Sequence, residues 1–169
     1  MLTEILFSKD DFPKGKTLHA IVLPENEDYY RFIKEQKERG LKTIALSSNA
    51  LLSILCHYFA EKHAEIFEVK LLDPLPKRNG YGELNQYCLQ YFIDQSCALM
   101  HNNRDNVVYL LGYINQALQK GNEIKQIALK TDRGSFIVNM SGMIKTNAEK
   151  DDIAQFSKNI EKILKNELF

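Results

Sequence analysis

Over its first 73 residues the chain alternates short apolar runs with stretches of helical periodicity. Apolar runs of strand length occupy residues 17–23, 41–46 and 66–72, and amphipathic patterns fill the two intervals between them. Near-continuous apolar runs are typical of strands that are buried on both faces of a sheet. Because the connections are short, this order predicts an N-terminal β-α-β-α-β unit with a parallel sheet and right-handed crossovers.

The rest of the chain predicts a central helical pair and a C-terminal β-meander with a terminal helix. Residues 83–101 are apolar nearly all round and carry no Lys or Arg, and residues 104–120 carry one apolar stripe. Glycine-containing turns separate three short strand patterns within residues 124–146, and an amphipathic helix follows. We therefore expect one compact α/β or α+β domain over residues 1–169, with the 74–82 loop as its candidate internal boundary.

Charge and composition exclude several classes of protein. Lys and Arg number 22, Asp and Glu also number 22, and the formal net charge is zero. Duplex-binding domains usually carry a basic excess, because they neutralise phosphates. No apolar run reaches the roughly 18 residues that a transmembrane helix needs, and a hydrophobic content of 44% is too high for a disordered chain. We expect neither nucleic acid nor a membrane as the partner.

Cysteine usage and missing motifs bear on compartment and cofactors. Cys56, Cys88 and Cys97 make an odd number without a Cys-x-x-Cys pair, which favours neither a disulfide framework nor a zinc site. The first residues lack the basic stretch and apolar core of a signal peptide. No glycine-rich phosphate-binding motif is present. The sequence thus predicts a cytoplasmic protein without a metal or another cofactor.

Three polar residues, Ser47, Ser48 and Asn49, follow the second strand of the predicted parallel unit and precede a helix. In open parallel sheets ligands bind at the carboxyl ends of the strands, where the free N–H groups of a helix N-terminus favour an anion. The same residue types are also typical of an ordinary helix cap. Both interpretations stay open at this point, so these residues are candidates for a ligand site.

A second group of candidates lies in and after the loop that follows residue 76. Tyr81 stands between two glycines close to Arg78, and Tyr and Arg are frequent in the energetic centres of protein interfaces. His101 belongs to a polar cluster beside the apolar 83–101 segment and could serve an acid–base pair. An ordinary turn between helices would show the same composition without any function, because Asn and Asp suit turns and N-caps.

Two functions of different class are compatible with these patterns. The first is a small soluble intracellular protein-interaction module without catalytic activity, such as an adaptor, a chaperone or an immunity protein, which binds another protein or a second copy of itself. The alternative is a small-molecule-binding or enzymatic α/β domain that uses Ser47, Ser48 and Asn49. An exposed apolar patch favours the first function, and a concave pocket with a perturbed titratable group favours the second.

Overall fold

The computed structural model describes residues 1–9, 17–62, 64–73 and 104–167. Within these ranges the chain forms seven β-strands and four α-helices. The strands are β1 (Leu2–Ser8), β2 (His19–Val22), β3 (Lys42–Thr43), β4 (Glu65–Leu71), β5 (Ile124–Thr131), β6 (Gly134–Asn139) and β7 (Met143–Thr146). The helices are α1 (Tyr29–Glu38), α2 (Ser48–Lys62), α3 (Arg104–Gln119) and α4 (Lys150–Glu167).

All the described strands belong to one sheet with the order β2-β1-β7-β6-β5-β4, and β3 pairs with β1 beyond the end of β7. Every pairing is antiparallel. The predicted meander is confirmed: β5, β6 and β7 pair in sequence, and α4 follows them. The described residues thus form an α+β domain in which the C-terminal meander occupies the middle of the sheet.

The prediction of a parallel β-α-β-α-β unit is wrong. Phe7 of β1 pairs with His19 of β2 on one side and with Thr43 of β3 on the other. Since β2 and β3 are both antiparallel to β1, they run in the same direction but are separated by it. The third strand of the expected unit, β4, pairs with β5 at the far edge of the sheet. The order of strands and helices from β2 to β4 was therefore predicted correctly, but the strands pair differently, because Leu2–Ser8 lies between β2 and β3 in the sheet.

The predicted central helical pair is confirmed only in its second member, α3, because residues 83–101 lie outside the described residues. The candidate boundary at 74–82 lies outside them as well. The side chains of α3 that are described contribute Leu111, Ile114 and Leu118 to the same apolar core as α2 and α4.

One face of the sheet carries the main core. β-strand alternation directs Leu6, Ile127, Phe136 and Val138 to this face, where they pack against apolar side chains of α2, α3 and α4. The ring of Phe136 stacks on that of Phe156 from α4, with centroids 4.0 Å apart and an interplanar angle of 7°. We call this side of the sheet the helix face.

The opposite side of the sheet is covered at its β1–β2 end by α1. Ile5 and Phe7 point there from β1 and form a second, smaller cluster with Phe32 and Leu41. The Phe7 and Phe32 rings meet edge to face at 6.1 Å. The Asp28 side chain accepts a hydrogen bond from the Arg31 N–H at 2.9 Å and so caps the start of α1.

Candidate functional site

The side of the sheet opposite the helix face is exposed over β4, β5, β6 and β7. Residues that pair directly across antiparallel strands point to the same side, and Ala128 pairs with Ile137, which pairs in turn with Lys145. Phe67 joins them from β4 and is 48% exposed. We call the surface formed by Phe67, Ala128, Lys130, Ile137 and Lys145 the open face. Among the described helices, α1 packs at the other end of this side and the rest pack on the helix face.

The open face combines apolar side chains with a shallow concavity. A depression of about 420 Å³ is lined by Phe67, Ala128, Lys130 and Ile137, together with Ser135 and Asn147. The Lys130 Nζ lies 5.7 Å from the centroid of the Phe67 ring, which is within the range of a cation–π contact. A β-bulge between Ile66 and Glu68 leaves Phe67 without a directly paired residue on β5. Ala128 and Ile137 are half-buried and Phe67 is exposed, and none of them belongs to the two apolar clusters of the described residues.

Some charged side chains on this side of the sheet have partners of opposite charge among the described residues, and others do not. The Glu68 carboxylate accepts a hydrogen bond from the Gln126 amide at 2.8 Å and lies 3.4 Å from the Lys70 ammonium. Lys130 and Lys145 are exposed, and neither forms an ion pair with a carboxylate among the described residues. The part of the surface over β5, β6 and β7 is therefore apolar with positive flanks.

A second concave feature lies on the helix side of the sheet, between α2, α4 and the turn that joins β5 to β6. This cavity, which we call the turn cavity, has a volume of about 340 Å³. Its polar lining includes Tyr58, Asp132, Arg133, Asp152, Gln155 and Asn159. Phe136 and Phe156 supply apolar lining from the main core.

A hydrogen-bonded chain crosses the turn cavity. The Gln155 amide donates to the Asn159 Oδ1 at 3.1 Å, and the Asn159 amide donates to the Tyr58 hydroxyl oxygen at 3.0 Å. Tyr58 is 4% exposed, and its burial raises the pKa of the phenol, an effect that the bond from Asn159 opposes. Tyr58 is therefore a neutral phenol at physiological pH and retains its own O–H for donation.

The helix face also contains a buried carboxylate, that of Glu4 on β1. Glu4 pairs with Ile144 across β7, so its side chain points toward the helices. Burial raises the pKa of this carboxyl above its ordinary value of 4.5, and the hydroxyl of Ser157 on α4 acts in the opposite direction. Ionisation of a carboxyl group in this buried position is energetically unfavourable.

The residues predicted from the strand-edge loop serve the local fold. The Ser47 hydroxyl accepts a hydrogen bond from the Ala50 N–H at 3.1 Å, which is an N-cap of α2. The Ser48 hydroxyl accepts from the Ile124 N–H at 2.8 Å and so fastens α2 to the start of β5. Asn49 is exposed. The turn cavity and the depression on the open face are lined by other residues, and ligand binding at this loop stays a prediction.

The other predicted residues, Arg78, Tyr81 and His101, lie outside the described residues, so the expected recognition loop and acid–base pair stay predictions. Within the described part of the chain no group of three or more His, Cys, Asp or Glu residues could hold a metal ion. None of the described helices is long and apolar enough to span a membrane.

Sequence reasoning missed both the open face and the turn cavity. For the open face a signal was present, because Phe136, Ile137 and Val138 are consecutive apolar residues and a strand points only alternate residues to one side. For the turn cavity no local signal exists, since Tyr58 and Asn159 are 101 positions apart. Only the packing of α2 against α4 brings them together.

Comparison of this chain with protein-family models, with curated proteins and with solved structures found no match.

Proposed function

We propose that this chain is a protein-interaction module that binds a partner protein through the open face. The observation that supports the proposal is the combination, on one side of the sheet, of exposed Phe67 and half-buried Ile137 with the exposed lysines Lys130 and Lys145. Apolar side chains in a shallow depression contribute to binding by losing contact with water. The lysines select for a partner with carboxylates around its apolar contact.

The chemistry of the open face favours an amphipathic helix as the bound segment. The helix face of the same sheet is covered by helices that present apolar stripes, as α4 does with Ile153, Phe156 and Ile160. A partner helix with a similar stripe would cover Ala128 and Ile137, and acidic residues beside its stripe would reach Lys130 and Lys145. Recognition of this kind depends on the apolar contact for affinity and on the lysines for orientation.

A photo-crosslinking experiment in the source cell identifies the partner. A photoreactive phenylalanine analogue replaces Ile137 in one variant, and in the control it replaces Ala154, which is exposed on α4. We expect a protein adduct that is formed from position 137 and not from position 154. Equal adducts from the two positions, or none from position 137, would contradict the proposal.

Binding to the purified partner then tests the chemistry. Ile137→Lys removes the apolar contact and is expected to weaken binding by at least about tenfold. Lys130→Glu reverses one flanking charge, so it should weaken binding and reduce the dependence of affinity on salt. Lys158→Glu on the exposed side of α4 is the matched control and should leave affinity unchanged. Wild-type affinity in both open-face variants would show that the partner binds elsewhere.

A further inference from the structure

The turn cavity presents groups of complementary chemistry from three different elements. α2 contributes Tyr58, the β5–β6 turn contributes Arg133, and the first turn of α4 contributes Asp152. Together with the buried rings of Phe136 and Phe156, these groups supply a hydrogen-bond donor, a cation, an anion and an apolar surface. Sites for small ligands likewise combine apolar surface with a few convergent polar groups, although polar side chains make up the larger part of this wall.

The Tyr58 hydroxyl is the most informative of these groups. Its oxygen accepts from Asn159, and no described residue accepts the phenolic hydrogen. The phenolic hydrogen is therefore available for donation to a group in the cavity. Tyr58 as a whole is only 4% exposed, and it lines the cavity. A ligand oxygen in the cavity would satisfy this donor.

Arg133 and Asp152 are charged residues that can bind groups of a ligand in the cavity. The Arg133 guanidinium forms an ion pair with its neighbour Asp132 at 3.5 Å, and both side chains are largely exposed, so this ion pair is weak. The half-buried Asp152 forms no ion pair among the described residues. A guanidinium and a phenol O–H bind a carboxylate, and a carboxylate binds an ammonium group.

We infer that the turn cavity binds a small zwitterion of the α-amino acid class with an apolar side chain. The ligand carboxylate accepts from Tyr58 and Arg133, its ammonium group donates to Asp152, and its side chain contacts the rings of Phe136 and Phe156. A volume of about 340 Å³ is at the lower end of the range for ligand sites, which suits a molecule of this size. The inference is independent of the open face, because the cavity lies on the other side of the sheet.

Isothermal titration of the full chain with L-phenylalanine and L-leucine tests the inference. Phenethylamine, which lacks the carboxylate, and hydrocinnamate, which lacks the amine, are the matched probes. We expect at least one of the two amino acids to bind, and each truncated probe to bind at least about tenfold more weakly than L-phenylalanine or not at all. If neither amino acid binds, the inference is wrong. Equal affinity for phenethylamine would also overturn it, because the carboxylate would then play no part.

Three variants locate the binding at the turn cavity. Tyr58→Phe removes only the hydroxyl, and Asp152→Asn removes only the charge, so each should weaken amino acid binding by about five- to tenfold. Asp151→Asn changes the adjacent, exposed carboxylate in the same helical turn and should leave affinity unchanged. Melting curves confirm that each variant is folded. Unchanged affinity in both folded cavity variants would place the binding elsewhere and overturn the inference.

Discussion

The two sides of the sheet are built from the same strands but differ in what covers them. On the helix face Ile127, Leu129 and Val138 are fully buried beneath three helices. On the open face the neighbouring residues Ala128, Lys130 and Ile137 are half-buried or exposed. Consecutive residues of one strand thus experience different environments, and among the described residues only those on the helix face pack against the helices of the main core. The apolar residues of the open face are therefore the ones for which we propose a binding role.

The helix face should respond strongly to the removal of side chains, and Phe156→Ala removes a large ring from its core. The Phe156 ring packs between Phe136 and Tyr58, with centroid distances of 4.0 Å and 4.8 Å. Removing a buried aromatic ring leaves a cavity, so we expect a loss of about 3–5 kcal/mol of unfolding free energy. Urea denaturation measures this loss. A loss below about 1 kcal/mol would mean that the helix face is not the main core.

A smaller effect is expected where α2 is fastened to the sheet. Ser48→Ala removes the acceptor of the buried Ile124 N–H, which should cost about 1–3 kcal/mol. Asn49→Ala changes an exposed neighbour on the same helix and should cost no more than about 0.5 kcal/mol. Thermal melting of the two variants distinguishes a structural role of this loop from a surface role. Equal melting temperatures would show that the Ser48 bond contributes nothing.

The smallest effect concerns Glu4, a buried carboxyl group on the helix face. Because burial raises its pKa in the folded state, the stability it contributes is present at acid pH and is lost as pH rises through the folded pKa. Glu4→Gln removes this titration, so the variant should melt a few degrees above the wild type at about pH 7 and approach it at about pH 4. Melting curves across this range measure the difference. A difference that is independent of pH would contradict the account of Glu4.

The sequence predicted the local elements well, because their signals are short-range. Gly142 occupies the β6–β7 turn with a φ of 77°, as the expected glycine-containing turn requires. The strand partners were not predictable in this way. Whether β2 pairs with a following strand or with the preceding Leu2–Ser8 run is decided by long-range packing, and the short apolar runs are compatible with either arrangement.

The candidate sites also contain some features that the local sequence predicts and others that depend on long-range packing. The N-cap at Ser47 follows from residue type and position, since Ser before a helical pattern is a common cap. Asn159 approaches Tyr58 only because α4 packs beside α2. This arrangement leaves no pattern in the local sequence, whereas the consecutive apolar residues of β6 do indicate an apolar side chain on each face of the sheet.

The contrast between the two faces is tested most directly by placing the same side chain at two adjacent positions of β6. Val138 is fully buried on the helix face, and Ile137 lies on the open face. Val138→Lys buries a charge, so we expect it to abolish cooperative unfolding or to cost more than about 4 kcal/mol. Ile137→Lys should cost no more than about 1 kcal/mol. Similar unfolding free energies for the two variants, measured by urea denaturation, would contradict the distinction between a packed helix face and an open face.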